Sequence, residues 1–365
     1  MRSTIPTFLI LIILFGEIHA QNPREYFKFA KFKYDNGDFS ESKDYLDKAI
    51  AKDSLYVNAY YLRAETNYEL RNFYNSIKDI NSILRIEKNA TSFTGNYYLT
   101  RGKSHLALKD YSNAKADFEK SQALSANDAD VHFYKAKLRL ATSNYFQALD
   151  ELKEAIRINP ADPTYYAFRT EINIAYLKPL RESRGYYDVL EDINKAISLA
   201  PDNYHYYQIR SGFLNSMGNS NDAEKDYNKM IELSPLVDKA YTERGVISMN
   251  KYEYKSAISD FTKSILISPS DERNYRYRGL CYNNMNNYLN AFEDFSKSID
   301  LQTVEISNSP YKNKLKNVLA ETYLLRGNCQ NLMGNNAQAC RDFLIAHNLG
   351  IKKGLNYYRK FCSAY

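Results

Sequence analysis

The residues of this chain that could bind a metal or build a nucleophile are few and scattered. They are His19, His105, His132, His205 and His347, with Cys281, Cys329, Cys340 and Cys362. A zinc site needs ligands at short fixed spacings, such as two histidines four apart on a helix or a Cys-x-x-Cys turn. No histidine here stands four residues from another histidine or a cysteine, and there is no Cys-x-x-Cys, no Gly-x-Ser-x-Gly and no Gly-x-Gly-x-x-Gly. The reactive residue types are present without the spacing that catalysis needs, so the chain is read as a non-enzyme with no cofactor and no metal. The groups that do recur are charged. Arg63 and Asp79 stand 16 apart, and so do Arg101 and Asp117, Lys135 and Glu151, Arg210 and Asp226, Arg244 and Asp260, Arg278 and Asp294, and Arg326 and Asp342. Opposite charges at one fixed separation, over and over, point to pairing between repeated elements.

Those elements repeat every 34 residues, starting at 23, 57, 95, 129, 163, 204, 238, 272 and 320. Position 4 of the unit is aromatic in eight of nine copies (Tyr26, Tyr60, Tyr98, Tyr166, Tyr207, Tyr241, Tyr275 and Tyr323). Position 8 is small, as in Ala30, Ala64, Gly102, Ala136, Gly245, Gly279 and Gly327. Position 20 is small or β-branched, and position 24 is bulky, as in Phe118, Tyr227, Phe261, Phe295 and Phe343. Positions 4, 8 and 11 share one helix face, as do 20, 24 and 27. The unit is therefore a helix pair: small residues let the helices approach, a large one fills the space beside them, and Pro160, Pro201, Pro235 and Pro269 at position 32 end the second helix. Each pair leaves an apolar face that only the next pair can cover. Positions 4 and 17 take thirteen of the 34 tyrosines, which places them between helices.

This pattern resembles the tetratricopeptide repeat over residues 23–350. The resemblance implies an all-α solenoid, a right-handed superhelix of antiparallel helix pairs with a concave inner face. One departure from the family is Arg at position 7 where Leu is usual. Position 23 carries the matching acid, and the first unit has Phe29 and Tyr45 in these places, so both partners turn neutral together. An ion-pair ladder between the two helices of each unit is expected, including Arg169 with Asp192 in the fifth. The family's inner face is lined by positions 2, 5, 9 and 12 of the first helix. Here that implies a wall of Tyr61, Glu65, Tyr68, Leu99, Lys103, Leu106, Phe133, Lys137, Leu140, Glu171 and Ile174. An apolar stripe with two lysines suits an extended or helical peptide. The Lys/Asn set with which some family members clamp a terminal carboxylate is absent.

Three insertions interrupt the array and are expected as longer turns or surface loops. They are 91–94, Leu177 to Arg184, and Ile306 to Leu319, with Pro310 onward extending the ninth unit's first helix. Residues 351–365 supply Leu355, Tyr358 and Phe361 for a helix that covers the last apolar face. The ending, Ala339 to Phe343 with Phe361-Cys362, resembles that of exported repeat proteins of Bacteroidetes-type bacteria. The resemblance suggests a Cys340–Cys362 bridge, although spacing alone leaves the pairing open. Cys281 and Cys329, both at position 10, are expected as separate buried thiols.

Residues 1–20 follow the plan of a secretory leader, with Arg2, the apolar run Phe8 to Phe15 and a small Ala20 before Gln21. The run is shorter than the ~20 residues that span a bilayer, so no membrane span is expected in the mature chain. Export to the periplasm or beyond follows. The formal charge of +6 comes without a Lys/Arg run of five, which argues against a nucleic-acid partner. The sequon Asn89-Ala90-Thr91 matters only in a eukaryotic secretory pathway. The expectation is an exported scaffold that binds a protein or peptide partner through its groove. The alternative is a structural subunit of an envelope or secretion complex, held by its edges and loops.

Overall fold

The computed structural model describes residues 22–87, 92–178, 183–308 and 312–362. The leader segment 1–20 and the sequon at 89–91 lie outside them. Among the described residues there are helices and turns and no strand. The chain divides into two compact units at Tyr176 and Leu177, inside the fifth repeat.

The first unit contains α1 (Pro23–Asp35), α2 (Phe39–Lys52), α3 (Val57–Glu69), α4 (Phe73–Ile86), α5 (Ser92–Ala107), α6 (Tyr111–Leu124), α7 (Ala129–Ala141), α8 (Tyr145–Ile158) and α9 (Pro163–Ile172). Odd and even helices pack as pairs, and each even helix packs on the next odd one. The second unit contains α10 (Arg184–Leu199), α11 (Tyr204–Ser216), α12 (Ser220–Leu233), α13 (Asp238–Asn250), α14 (Tyr254–Ile267), α15 (Glu272–Asn284), α16 (Tyr288–Asn308), α17 (Lys312–Leu332), α18 (Asn336–Asn348) and α19 (Lys352–Phe361). It repeats the same neighbour-to-neighbour packing, ending with α19 on α18.

Local chemistry sets the helix ends. Asp128, Asp162, Asn203 and Asp271 each accept a backbone N–H two residues on and so cap α7, α9, α11 and α15. Position 15, between the helices of a pair, has positive φ in every repeat but the fifth. Glycine takes it at Gly37, Gly218 and Gly334, and Arg71, Lys109, Ser143, Tyr252 and Asn286 adopt it elsewhere.

The close approach at position 8 is decided by position 24. A β-carbon on Gly102, Gly245, Gly279 or Gly327 would come 2.6–2.8 Å from the ring of Phe118, Phe261, Phe295 or Phe343. Where position 24 is the smaller Leu46, Ile80 or Leu152, position 8 is alanine. Glycine and phenylalanine thus occur as a matched pair, because the ring occupies the space a methyl group would need.

The charged residues form the expected ladder in the seven repeats whose partners share a unit. Arg244 is typical: Nε and Nη2 donate to the two carboxylate oxygens of Asp260 at 2.9 and 2.6 Å. The fourth repeat keeps the arrangement with other residues, Lys135 Nζ lying 2.7 Å from Glu151 Oε1 and His132 Nδ1 2.7 Å from Oε2. In the first repeat the Phe29 and Tyr45 rings meet instead, 5.7 Å apart. Arg169 belongs to the first unit and Asp192 to the second.

The arginine does more than the pairing requires. Its third nitrogen reaches back to position 25 of the preceding second helix: Arg63 to Asp47, Arg101 to Asn81, Arg244 to Asn228, Arg278 to Thr262. Its carbon also sits 5.2–5.9 Å over the position-4 tyrosine in seven repeats, including Arg244 over Tyr241. Tyr166, Tyr207 and Tyr275 in turn donate to the carbonyls of Pro160, Pro201 and Pro269 in the repeat before. In six repeats one Tyr-x-x-Arg motif therefore ties the unit to its own second helix and to its predecessor. For Arg210 and Arg244 the hydrogen bonds to the aspartate outweigh burial and hold the guanidinium above its ordinary pKa.

The insertions differ from the loops expected. Helix α5 already begins at Ser92, so the added residues lengthen a helix rather than a turn. Before the ninth repeat α17 starts early, as expected, and α16 is lengthened as well, so both helices run 21 residues. In the fifth repeat α9 continues as a π-helix over Asn173–Leu177, a wider coil that absorbs an added residue without breaking the backbone ladder.

At the far end, α19 lies so close to α18 that a β-carbon on Gly354 would stand 2.5 Å from the carbonyl of Phe343. Tyr357 and Phe361 pack on the Phe343 ring at 5.4 and 6.3 Å. Cys340 and Cys362 form a disulfide with α-carbons 5.8 Å apart, and Cys281 and Cys329 are buried free thiols.

Candidate partner-binding groove

The first helices of successive repeats lie side by side in the first unit, α3 beside α5 and α5 beside α7. Positions 9 and 12 of these helices bring together Glu65, Tyr68, Lys103, Leu106, Lys137 and Leu140, all half-buried. Tyr61 is half-buried beside them; its hydroxyl donates to Glu65 Oε1 at 3.0 Å and its ring meets Tyr97 at 5.2 Å. Ile174 is half-buried on the π-turn and Glu171 is exposed.

Position 5 is placed deeper than the sequence pattern implied. Leu99 and Phe133 are each only 7% exposed. Leu99 packs in a cluster with Phe118 and Leu138, while Phe133 packs with Leu152 and Ile172. Phe133 also meets the Tyr165 ring at 5.0 Å and the Phe168 ring at 5.5 Å. These two residues back the wall rather than present it, because the next first helix brings a large ring against each position-5 side chain.

The lysines are mounted on aromatic rings. Lys103 Nζ lies 4.7 Å from the centre of the Tyr134 ring and 5.5 Å from that of Tyr68. Lys137 Nζ lies 4.3 Å from Phe133, 4.9 Å from Tyr134 and 5.9 Å from Phe168. Tyr134 and Phe168, both at position 6, were not among the expected wall residues. Their signal is nonetheless in the sequence: Tyr134 precedes Lys137 by three, so the two share a helix face.

Burial, and after it the charge of Lys103, lowers the pKa of Lys137. Burial also raises Glu65, against the hydrogen bond from Tyr61 and the fields of Lys103 and Lys31. Tyr34 is pushed up to about 12 by burial, with Glu65 and Glu69 adding to it. Burial likewise raises Tyr61 and Tyr134. The wall is thus a partly dry aromatic surface on which an ammonium pair and a carboxylate are held at some cost. Such a surface can grip apolar and charged side chains. Among the described residues no group of three or more His, Cys, Asp or Glu could hold a metal ion.

Position 9 carries no charge in the second unit, where it is Gly212, Val246, Leu280 and Asn328. The charged aromatic wall is a property of the first unit.

The sequence profile of the tetratricopeptide repeat matches residues 27–88 and 99–163, a span that includes most of this wall. No curated protein matches the chain. Among solved structures, a tetratricopeptide repeat protein from Parabacteroides merdae is similar at 17% identity, over 72% of this chain and 99% of its own, with a TM-score of 0.47. The C-terminal part of a TPR repeat-containing protein from Cytophaga hutchinsonii is similar at 18% identity, over 69% and 98%, with a TM-score of 0.49. YrrB, described as a TPR protein with an unusual peptide-binding site, is similar at 19% identity, over 51% and 92%, with a TM-score of 0.44.

Proposed function

Since this chain is built of tetratricopeptide repeats, we propose that it is a scaffold that binds a protein or peptide partner through the aromatic wall of its first unit. The observation that carries the reading is the pair of ring-mounted ammoniums, Lys103 and Lys137, set among the half-buried Tyr61, Tyr68, Leu106 and Leu140. Half-dry apolar surface beside fixed charge is what a specific interface needs, since the first supplies affinity and the second register. The reading includes no catalytic step, no cofactor and no nucleic acid. We place the protein outside the cytoplasm, in the periplasm or beyond, delivered by residues 1–20. The Cys340–Cys362 disulfide supports that location, since such bonds persist in oxidising compartments. Among the described residues no helix is long and apolar enough to cross a membrane.

A second reading, a structural subunit held by its outer helices, draws on Tyr74 and Phe146. They are 77% and 73% exposed near the starts of α4 and α8. Affinity capture from the cell envelope separates the two. Leu106→Asn/Leu140→Asn, verified as folded by circular dichroism, should release the partner that the unaltered chain retains, and Tyr74→Ser/Phe146→Ser should keep it. The opposite pattern would move the function to the outer face.

A further inference from the structure

The wall's charges specify what can sit on it. We propose that the segment it binds is an extended acidic peptide whose two carboxylates, two residues apart, seat on Lys103 and Lys137. This rests on the reading of the wall as the partner surface, and names the chemistry of the occupant.

Both ammoniums lie against a single ring, that of Tyr134, at 4.7 and 4.9 Å from its centre. Neither has a carboxylate within ion-pairing distance among the described residues, although carboxylates pair with the ladder cations throughout the chain. Two like charges on one half-buried ring repel each other, and burial deprives them of the water that would screen that repulsion. Glu65, Asp130 and Glu171 act on them only at longer range, so each ammonium lacks a contact partner of its own. In an extended peptide, side chains two residues apart leave the same face and stand about 6.6 Å from each other. The two ammoniums, at 4.7 and 4.9 Å from one ring centre, stand less than about 10 Å apart, a span two such carboxylates can serve.

The surroundings narrow the choice. Glu65 stands next along the wall, half-buried and held by the Tyr61 hydroxyl, and the carboxylates of Asp130 and Glu171 also act on Lys137. A nucleic-acid backbone or a uniformly acidic tract would meet these acids after the first pair of contacts. A short acidic element flanked by neutral or basic residues would not. The rings contribute as well, since they fix the ammoniums and reduce the side-chain entropy lost on binding.

Fluorescence anisotropy with the full chain tests this. The probes are three labelled oligomers of equal length: a Gly/Ser-flanked Glu-Ala-Glu peptide, the same peptide with Gln-Ala-Gln, and oligo-dT. The Glu peptide should bind at least tenfold more tightly than the other two. Lys103→Gln/Lys137→Gln should remove at least tenfold of that affinity, and Lys103→Arg/Lys137→Arg should retain most of it, because guanidinium keeps both the charge and the ring contact. Equal binding of the Glu and Gln peptides, oligo-dT binding as tight as that of the Glu peptide, or no binding of any probe at millimolar concentration would each overturn the proposal. If partner capture still depends on Leu106 and Leu140 while the Glu peptide fails, the acidic occupant is wrong and the scaffold reading stands.

Discussion

Replacing Arg244 by methionine isolates what the ladder contributes. The change keeps an unbranched apolar side chain and removes the guanidinium with its contact over Tyr241, so Asp260 loses both of its hydrogen-bond donors. The Asp260 side chain is only 8% exposed, and that of Arg244 24%. Stranding a buried carboxylate costs about 3–5 kcal/mol, and the partial exposure of the pair puts the expected loss near the lower figure, ~3 kcal/mol. Asp260→Leu should cost less, ~1–2 kcal/mol, because Arg244 keeps Asn228 and reaches solvent. The double variant Arg244→Met/Asp260→Leu removes both charges together and should lie within ~1 kcal/mol of the original. Urea titration of the full chain, followed by circular dichroism, gives the three differences and their coupling, expected at about 3–5 kcal/mol. Losses that simply add would refute the pairing as an energetic unit. An exposed pair such as Lys31–Asp35, at 59% and 55%, should show coupling below ~1 kcal/mol in the same assay.

Three further outcomes follow. Gly279→Ala places a methyl group against the Phe295 ring, so overpacking of ~1–3 kcal/mol should outweigh the ~1 kcal/mol that alanine gains in a helix; Phe295→Leu in that background should recover stability in thermal melts, whereas Phe295→Leu alone should lose it. Burial pushes the Cys281 and Cys329 thiols up to about 12 and 11, so a disulfide-exchange reagent at pH 8 should find no thiol in the folded chain and two after denaturation without reductant. Lys137 is lowered by burial and then by Lys103, so its methylated amine should titrate by NMR below the exposed lysines, and Lys103→Gln should move it part of the way back up.

The helix pairs and the ladder were legible because each rests on contacts within one repeat, where sequence spacing fixes geometry. The joint change to Phe29 and Tyr45 made the pairing readable without coordinates. The third contact of each arginine was not, since Asn81, Asn228 and Thr262 at position 25 look like ordinary surface residues until the next repeat is laid against them. The same limit applied to the wall. Positions 5 and 6 lie where one first helix meets the next, so the depth of Leu99 and Phe133, and the use of Tyr134 as a mount for two lysines, depend on the neighbour's side chains. The residues at 92–94 continue a helix that their composition does not oppose, whereas the early start of α17 follows the extension expected from Pro310 onward.

The central claim is that a partner lies on the wall of the first unit, and site-specific photo-crosslinking tests it most directly. A benzophenone side chain replaces Leu106, Leu140 or, as a control on the second helices, the 73%-exposed Phe146. Irradiation in intact cells should give one adduct of the same partner from positions 106 and 140 and none from 146. An adduct from 146 with none from 106 or 140 would contradict the account.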